Sequence, residues 1–495
     1  MKTVVIGAGA NELVAAHYLA RAGHEVIVLE EHDAPRDEVM LDSGWISPRI
    51  VRDLGLHTGA GASPALALYR PDPWATAVLG DGGRLELWND PGRSVASIRR
   101  LSARDAARWP QFCAQMSALA RILESLYVAP PPDLLARDVG ELARLAGIAF
   151  GMRRLGRQNM EALMRLLPMA VSDLLDDWFE SDVLKGVLAG TGIMHLCQGP
   201  RSGGTAFRLL HHHVGNATGV FRPLRSNLRR VLEARPGIAL RRAAPAARIT
   251  VRQGHVAGVV LASGEEIAAR LVVCGADPRR TLLDRVDAGA LAPEFTRAVR
   301  HIRSRGVVAR VNLVLERAPQ FGTLVLAPSL DYLERAYDDA KYGRISERPY
   351  MEARAAGSDG ANAHYVEVDV QYAPYALADG TWDETRRHTL AQRAVEMLGA
   401  AMPGFAEAVT AAEVLTPRDL EARYGFPEGQ PHHAELALDQ SFWMRPLPGW
   451  ASYRSPIAGL YFCGPGTHPG GAIGGAAGAN AARIVLKDLH RSGKG

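Results

Sequence analysis

The sequence predicts an α/β protein of two interleaved domains, one built on a parallel sheet and the other on a mixed sheet with a helical cap. Three observations lead to this prediction. The chain has 495 residues, more than one hydrophobic core usually serves. Its first 30 residues alternate strand, helix and strand, as parallel sheets require. Helical periodicity dominates 102–196, whereas short strand-like runs follow between 237 and 371.

Composition indicates an ordinary globular protein and argues against several functional classes. The net charge is only +4, and arginines are spread over the whole length, so we expect no nucleic-acid surface. The four cysteines form no CxxC pair, which argues against a disulfide framework, and we expect no bound metal. No apolar run reaches the length of a membrane-spanning helix. We therefore expect a soluble, cytoplasmic protein.

The N-terminal segment carries a nucleotide-binding pattern. Residues 2–6 form an apolar strand, 13–22 has helical periodicity, and 26–29 forms the next strand. The run Gly-Ala-Gly-Ala-Asn at 7–11 lets backbone amides approach a diphosphate at the positive end of the helix. Glu30 ends the second strand, where its carboxylate suits the two hydroxyls of a ribose. Together these residues predict a Rossmann-type dinucleotide site.

One position departs from this pattern. The third glycine normally permits close packing of the helix on the strand, and Glu12 occupies its place. We expect the Glu12 side chain to point away from the strand, or the helix to shift outward.

The middle of the chain predicts the remaining elements in order. A proline break at 130–132 divides the helical cap, and a hairpin follows at 251–261. A buried strand is predicted at 271–274. Strand-like runs at 307–315 and 364–371 predict a second sheet that faces the substrate.

The strongest signal is a glycine-rich segment near the C-terminus. Six glycines lie between residues 464 and 475, between a predicted strand and a helix that is expected to begin near Gly474. Glycine loses much conformational entropy on folding, so we interpret this density as a backbone that closely approaches a large flat or anionic ligand.

In these segments the sequence resembles the phytoene dehydrogenase-like flavoproteins, a branch of the carotenoid desaturase and amine oxidase superfamily. The resemblance covers nearly the whole chain and is carried by residues 5–30, 272–281 and 461–482. Other stretches, such as 327–341, look like an uncharacterised pyridine nucleotide-disulphide oxidoreductase-like subgroup.

The resemblance implies FAD as the cofactor, bound to a Rossmann-type FAD-binding domain of the GR2-like kind. That domain is expected to comprise residues 1–75, 215–290 and 440–495. Residues 76–214 and 291–439 then form the substrate domain, with its mixed sheet and helical cap. The residues that the resemblance assigns to FAD are Gly7, Gly9, Ala10, Asn11, Glu30, Ala246, Gly464, Gly466, Gly474, Gly475 and Ala476.

Two further patterns of the family are missing. The Gly-Gly pair that usually follows the acidic residue is replaced by Arg36-Asp37. The glycine cluster that usually follows a proline is replaced by Leu224-Arg225-Ser226. Both segments contact the flavin in the family. No second dinucleotide motif is found, so NAD(P) is expected only as an optional partner.

Three histidines are candidate catalytic residues. A flavin accepts hydride at N5, so the protein mainly positions a C–H bond and tunes the charge near the ring. His468 lies in the glycine-rich segment, and the alternative is that it only bonds the backbone of the turn. His432 and His433 shortly precede that segment and could supply acid–base function. The run 211–213 is expected at a polar surface or helix end rather than at a metal.

The resemblance implies a dehydrogenase or desaturase that moves a hydride from an apolar or polyene-like small molecule to flavin N5, with quinone or oxygen as electron acceptor. Three alternatives stay open: a flavin amine or amino-acid oxidase, a redox-neutral flavin isomerase, and a flavin-free binding protein on the same fold. The basic, amphipathic stretch 142–155 predicts either a peripheral membrane contact or packing against the cap's own core.

Overall fold

The computed structural model describes residues 1–33, 44–56, 64–132, 139–154, 156–358 and 363–492. The strands are β1 Lys2–Ile6, β2 Glu25–Leu29, β3 Trp45–Ile46, β4 Leu68–Tyr69, β5 Ala75–Val78, β6 Arg84–Leu87, β7 Arg225–Ser226, β8 Ala239–Arg241, β9 Ala246–Arg252, β10 His255–Leu261, β11 Glu266–Ala268, β12 Leu271–Cys274, β13 Val308–Leu315, β14 Thr323–Leu326, β15 Met351–Ser358, β16 His364–Gln371, β17 Val409–Leu415, β18 Leu460–Phe462 and β19 Ile473–Gly474.

The helices are α1 Ala10–Arg21, α2 Pro48–Leu54, α3 Pro91–Arg99, α4 Ala103–Tyr127, α5 Val139–Arg154, α6 Gly156–Leu166, α7 Val171–Trp178, α8 Asp182–Ile193, α9 Thr205–His213, α10 Leu228–Glu233, α11 Pro278–Asp284, α12 Pro293–Arg300, α13 Leu330–Lys341, α14 Glu384–Ala401, α15 Phe405–Ala408, α16 Pro417–Tyr424 and α17 Ala476–Ser492. In the described ranges, none of these helices is both long enough and apolar enough to cross a membrane.

A five-stranded parallel sheet forms the centre of the first unit. Its strand order is β18-β12-β1-β2-β8, and every neighbouring pair is parallel. Val4 of β1 pairs with Val272 of β12 on one side and with Ile27 of β2 on the other. Strands of a parallel sheet that is covered on both faces are nearly continuous apolar runs, and such runs made β1 and β12 recognisable in the sequence. The strands of this sheet come from all three segments that were expected to form one domain. The boundaries of that domain stay a prediction.

The predicted strands at 2–6 and 271–274 coincide with β1 and β12. Helix α1 begins at Ala10 rather than at residue 13, because Gly9 already has the extended backbone of a helix cap. Helix α17 begins at Ala476 rather than near 474, because Gly475 has a φ of +72° and interrupts the helical path.

The backbones of α1 and α17 touch directly. A Cβ atom on Gly478 would lie 1.8 Å from the carbonyl oxygen of Asn11. Only glycine can occupy that position without pushing the two helices apart. The C-terminal helix therefore lies against the N-terminal nucleotide-binding segment.

A seven-stranded mixed sheet forms the second unit, as predicted. Its strand order is β17-β13-β16-β15-β14-β5-β6, with β14 and β5 parallel and the other pairs antiparallel. The strands predicted at 307–315 and 364–371 correspond to β13 and β16. Leu390, Ala394 and Leu398 of α14 join the apolar residues of one face of this sheet in a common core.

The helical cap, from α3 to α9, is held together by an aromatic core. The Phe112 ring lies 5.0 Å from that of Phe179 and 5.3 Å from that of Phe221, measured between centroids. At the start of α4 the Ser102 hydroxyl accepts a hydrogen bond from the amide of Asp105, a typical N-cap. The predicted helical cap is thus confirmed.

The C-terminal segment completes the last turn of α4. The final carbonyls of a helix have no partner within the helix. Here the His468 imidazole donates to the carbonyl of Leu126, the Asn480 amide to that of Tyr127, and Arg483 to that of Val128. The cap and the first unit are therefore joined by hydrogen bonds at this helix end.

A buried network of charges covers part of the mixed sheet. Arg310 donates to Asp369 at 2.7 Å and pairs with Glu367 at 3.0 Å. Arg354 pairs with Asp369, and with Glu352 at 3.0 Å. Burial alone would raise the pKa of Asp369, but Arg310 and Arg354 outweigh it and hold that pKa well below its usual range.

Asp369→Asn should lower the free energy of unfolding by about 3–5 kcal/mol, because it leaves two buried guanidinium groups without this carboxylate. Since the pKa of Asp369 is depressed in the folded state, its contribution is present above the unfolded value of about 4 and is lost as pH falls below it. Urea denaturation at pH 7 measures the loss. Glu413→Gln, which removes an exposed pair with Arg423, is the control and should cost at most about 1 kcal/mol. If both changes lower the free energy of unfolding equally, the buried network does not stabilise the fold as described.

Candidate functional site

A cleft of about 590 Å³ lies at the carboxyl ends of β1, β2 and β12. Open α/β sheets bind their ligands at this edge. The volume lies within the range of about 300–1,000 Å³ that is usual for cofactor and small-molecule sites. Its wall also includes part of α16 and the glycine-rich segment before α17.

Most of the residues that the sequence assigns to the cofactor line this cleft. They are Gly7, Gly9, Ala10, Asn11, Glu30, Ala246, Gly474 and Gly475. Three assigned residues lie inside the protein instead. Gly464 packs on the backbone of Gly275, Gly466 packs on Pro278, and Ala476 is buried at the start of α17.

Several glycines of this segment pack closely against other parts of the protein. A Cβ atom on Gly464 would lie 2.0 Å from the carbonyl oxygen of Gly275, and one on Gly471 would lie 1.8 Å from Nδ1 of His432. One on Gly475 would lie 2.7 Å from Cγ2 of Val14. Close contacts within the protein therefore require glycine at these three positions, and the close approach of a ligand to this segment stays a prediction.

Glu30 is fixed at one end of the cleft. Its Oε2 accepts a hydrogen bond from the Ala8 amide at 2.9 Å, and its Oε1 accepts one from the His32 amide at 3.2 Å. The side chain is buried, and the cleft runs past it to Ala246. This carboxylate is therefore held rigidly between the first loop and the end of β2.

Glu12 lies inside the cleft wall, at the N-terminus of α1. A Cβ atom on Gly9 would lie 2.4 Å from its Oε2, and one on Gly275 would lie 2.0 Å from its Oε1. The side chain therefore covers both glycines, and the expectation that it points away is wrong. Burial raises the pKa of Glu12 to about 7, although the amides of Glu12 and Gly9 and the charge of Arg229 act in the opposite direction.

Two further acceptor atoms face this region without a protein partner. Within the part of the chain that the structure describes, Oδ1 of Asn11 and Oδ2 of Asp277 are buried and accept no hydrogen bond. Oδ1 of Asp277 accepts from the amide of Arg280 at 2.7 Å. Burial raises the pKa of Asp277 to about 7. Because orphaned buried acceptors are costly, these atoms fit a ligand that carries hydroxyl groups, as FAD does.

His432 and His433 line the cleft, whereas His468 does not. Nε2 of His432 accepts a hydrogen bond from Arg208 at 3.1 Å. Burial, and then the charge of Arg208, lowers the pKa of His432 well below its usual value, so its imidazole is neutral. His468 instead donates to the carbonyl of Leu126 at the end of α4, and burial lowers its pKa to about 4. These positions favour His432 and His433 over His468 for contact with a ligand.

The histidines at 211–213 are buried in the last turn of α9. Their ring nitrogens donate to backbone carbonyls: His211 to Gly471 at 2.9 Å, His212 to Thr191 at 3.0 Å and His213 to Val220 at 2.6 Å. The helix-end position was expected, but a polar surface was wrong, because all three side chains are at most 2% exposed. Among the described residues, no group of three or more side chains is arranged to hold a metal ion.

Of the two segments that lack the family's glycines, residues 224–226 lie in the part of the chain that the structure describes. Arg225 in β7 forms an ion pair with Glu367 at 3.2 Å and so connects this segment to the mixed sheet. Its neighbour Ser226 lines the cleft. Arg36-Asp37 lies outside the described residues.

Arg208 is a residue that sequence reasoning missed. It is fully buried in α9, and its Nε and Nη1 atoms have no hydrogen-bond partner in the described ranges. Burial, and then the charge of Arg445, lowers the pKa of Arg208 to about 9, so it still carries a positive charge at neutral pH. The signal in the sequence is a single arginine between Phe207 and Leu209 in an otherwise apolar helical run.

Comparison with known proteins gives two family matches that overlap. Residues 2–191 match the family described as FAD dependent oxidoreductase, and residues 138–486 match the family described as flavin containing amine oxidoreductase. The second match spans well over half of the chain. The chain belongs to the flavin-containing amine oxidoreductase family. This membership confirms the predicted superfamily, the α/β fold with a Rossmann-type FAD-binding domain, and FAD as the cofactor.

Three curated relatives are similar to this chain over almost their whole length. "Pyridine nucleotide-disulfide oxidoreductase domain-containing protein 2" of Rattus norvegicus is 31% identical over 98% of this chain and 93% of its own. A limonene dehydrogenase subunit of Castellaniella defragrans is 25% identical over 98% and 94%. "Phytoene desaturase (neurosporene-forming)" of Cereibacter sphaeroides is also 25% identical over 98% and 94%.

Solved structures share the fold of this family member. An oxidoreductase from Methanosarcina mazei aligns with a TM-score of 0.58 at 15% identity, over 98% of this chain and 100% of its own. Cyclohexylamine oxidase from Brevibacterium oxydans aligns with a TM-score of 0.54 at 15% identity, over 99% of both chains. At such low identity these likenesses establish the architecture alone.

Arg208→Met should raise the free energy of unfolding by about 1–3 kcal/mol, because it removes a buried charge that the fold does not satisfy. Urea denaturation measures the change. Arg445→Met is the matched control: Arg445 is equally buried, but its guanidinium donates to the carbonyls of His432, Ala434, Glu435, Gln440 and Pro465. This control should destabilise the fold, and destabilisation of similar size by both changes would show that Arg208 is satisfied.

Proposed function

We propose that this protein is an FAD-dependent dehydrogenase or desaturase that takes a hydride from an apolar or polyene-like small molecule. The observation that carries this proposal is the buried positive charge of Arg208, two of whose guanidinium nitrogens lack a hydrogen-bond partner among the described residues. Arg208 lies behind His432, to which it donates a hydrogen bond, and His432 lines the cleft. A positive potential stabilises the negative charge that a flavin gains when it accepts hydride, and it repels an ammonium group. The names of two relatives, a limonene dehydrogenase subunit and a phytoene desaturase, support an apolar substrate.

In this proposal, different residues of the cleft would bind different parts of FAD. The amides at the start of α1 would hold the diphosphate at the positive helix end. Glu30 would hold the adenosine ribose, and the backbone of Ala246 would approach the adenine. Asn11 and Asp277 would accept hydrogen bonds from hydroxyls. FAD supplies the hydride acceptor at N5.

His433 is the residue that we assign to proton transfer. Removal of two hydrogens from a saturated C–C bond releases one hydride and one proton, and the proton needs a base. His432 and His433 both line the cleft, but Nε2 of His432 already accepts a hydrogen bond from Arg208. His432 is therefore a positioning residue in this proposal. The electrons would finally pass to a quinone or to oxygen.

The first experiment is the visible spectrum of the purified protein, followed by release and identification of any yellow chromophore. We expect FAD, and we expect anaerobic addition of cyclic monoterpenes or polyenes to bleach it. Exposure to a quinone or to oxygen should restore the colour and identify the acceptor. A colourless protein that cannot be reconstituted with FAD would contradict the proposal and favour a binding protein. Turnover only after prior reduction, without consumption of reductant, would favour an isomerase.

His433→Gln should lower kcat about 10²–10⁴-fold, the usual contribution of a general base, while FAD content stays unchanged. Stopped-flow flavin reduction measures the rate, and the flavin spectrum measures the occupancy. His255→Gln, a change of an exposed histidine on β10, is the control and should leave both unchanged. Unaltered flavin reduction in His433→Gln would exclude the role.

An amine oxidase is the second candidate. Tyr375, Tyr424 and Phe426 line the cleft, and aromatic side chains can surround an amine. Release of hydrogen peroxide on addition of primary amines, together with flavin bleaching by them, would favour this function over the first.

We also propose that the cap contacts membranes, where lipophilic substrates reside. Phe150 of α5 and Met164 of α6 are each 61% exposed, and the exposed Arg153, Arg154 and Arg157 lie close to them in sequence. Apolar side chains flanked by arginines suit an anionic lipid surface.

The double change Phe150→Ser and Met164→Ser should abolish co-sedimentation with anionic vesicles, because it removes the apolar contact. Tyr342→Ser, at another site that is 61% exposed, is the control and should leave co-sedimentation unchanged. If the unchanged protein does not co-sediment, the membrane contact is wrong.

A further inference from the structure

The carboxyl group of Glu12 occupies the place where the nucleotide-binding motif presents bare backbone to a diphosphate. Its two oxygens lie over the α-carbons of Gly9 and Gly275, and the side chain is only 5% exposed. The amides of Gly9 and Glu12 act on this carboxyl. Amides at a helix N-terminus are the groups that bind a phosphate. Glu12 therefore already supplies an anionic group to the end of α1.

We propose that Glu12 controls the affinity of the cleft for the FAD diphosphate, which binds well only when this carboxyl group is protonated. This inference rests on the FAD site proposed above and deepens it. An ionised carboxylate and a diphosphate would compete for the same amides and repel each other in a buried region. A protonated carboxyl group removes the repulsion and can donate a hydrogen bond to a phosphate oxygen.

The surroundings of Glu12 place its ionisation in the physiological range. Burial has the largest effect and raises its pKa to about 7; Glu30 also raises it, whereas Arg229 lowers it. The two thiols that interact with it, those of Cys274 on β12 and Cys463 after β18, have raised pKa values because they are buried, so they stay neutral. Burial also raises the pKa of Asp277, which lines the same cleft, to about 7. Only the Glu12 carboxyl, however, lies at the amides of Gly9 and Glu12, where the diphosphate is proposed to bind.

The sign of the pH dependence follows from this arrangement. Below pH 7 the Glu12 carboxyl is mostly neutral, and FAD binds without repulsion. Above pH 7 binding must be accompanied by uptake of one proton, so affinity falls with each further pH unit. The dissociation constant of the unchanged protein should therefore be about tenfold larger at pH 8 than at pH 6.

The experiment is a titration of the flavin-free full-length protein with FAD at several pH values, followed by quenching of flavin fluorescence. Calorimetry in buffers of different ionisation enthalpy gives the number of protons taken up. Glu12→Gln keeps the size of the side chain without its charge, and Glu12→Gly restores the bare backbone. Glu25→Gln, which changes an exposed glutamate on β2, is the matched control. Circular dichroism checks that each variant is folded.

We expect the pH dependence and the proton uptake to persist in Glu25→Gln and to vanish in Glu12→Gln and Glu12→Gly. At pH 8, Glu12→Gly should bind FAD about tenfold or more tightly than the unchanged protein. FAD binding by Glu12→Gly alone would also support the proposal. Equal affinity of the unchanged protein at pH 6 and pH 8 would overturn it and leave the FAD site standing. Failure of all variants to bind FAD at any pH would overturn both.

Discussion

The contact between Gly478 and the carbonyl oxygen of Asn11 is the constraint on which the rest of the structure depends. It allows the backbone of α17 to lie directly on that of α1, so the two ends of the chain meet. The same approach places Gly474 and Gly475 opposite the first loop, where both line the cleft. A side chain at position 478 would separate the helices and open the site along its length.

Buried charged side chains have two kinds of surroundings in this protein. On the mixed sheet, Arg310 and Arg354 share carboxylates, so positive and negative groups are matched in place. Beside the cleft, Arg208 has only the neutral His432 and a backbone carbonyl as partners among the described residues. The first arrangement supports the fold. The second leaves a local excess of positive charge where a hydride acceptor is proposed to bind, and Glu12 and Asp277 place proton-binding groups elsewhere along the same cleft.

The parts of the structure that local sequence patterns determine were predictable. β1 and β12 are continuous apolar runs that end in glycine, and the nucleotide-binding residues follow one of them directly. The direction of the Glu12 side chain was not predictable, because the side chain packs on Gly275, which is distant in sequence and adjacent in space. The position of the His468 side chain is set by its hydrogen bond to the carbonyl of Leu126 at the end of α4. No residue near His468 in the sequence predicts that bond. Arg208 could have been suspected from its apolar neighbours, but its lack of a partner follows only from the packing of α9.

The hydrogen bonds at the end of α4 have a consequence for the order in which the chain can fold during synthesis. The carbonyls of Leu126, Tyr127 and Val128 accept hydrogen bonds from His468, Asn480 and Arg483, which are separated from them in sequence by 342, 353 and 355 positions and are therefore synthesised much later. Strand β18 at the sheet edge is also made late. The nascent chain must therefore keep an unfinished helix end and an uncovered sheet edge in water until these later residues have been made. A cleft built from segments so far apart in sequence is thus assembled only after the residues of β18 and α17 have been made, and the earlier elements wait for them.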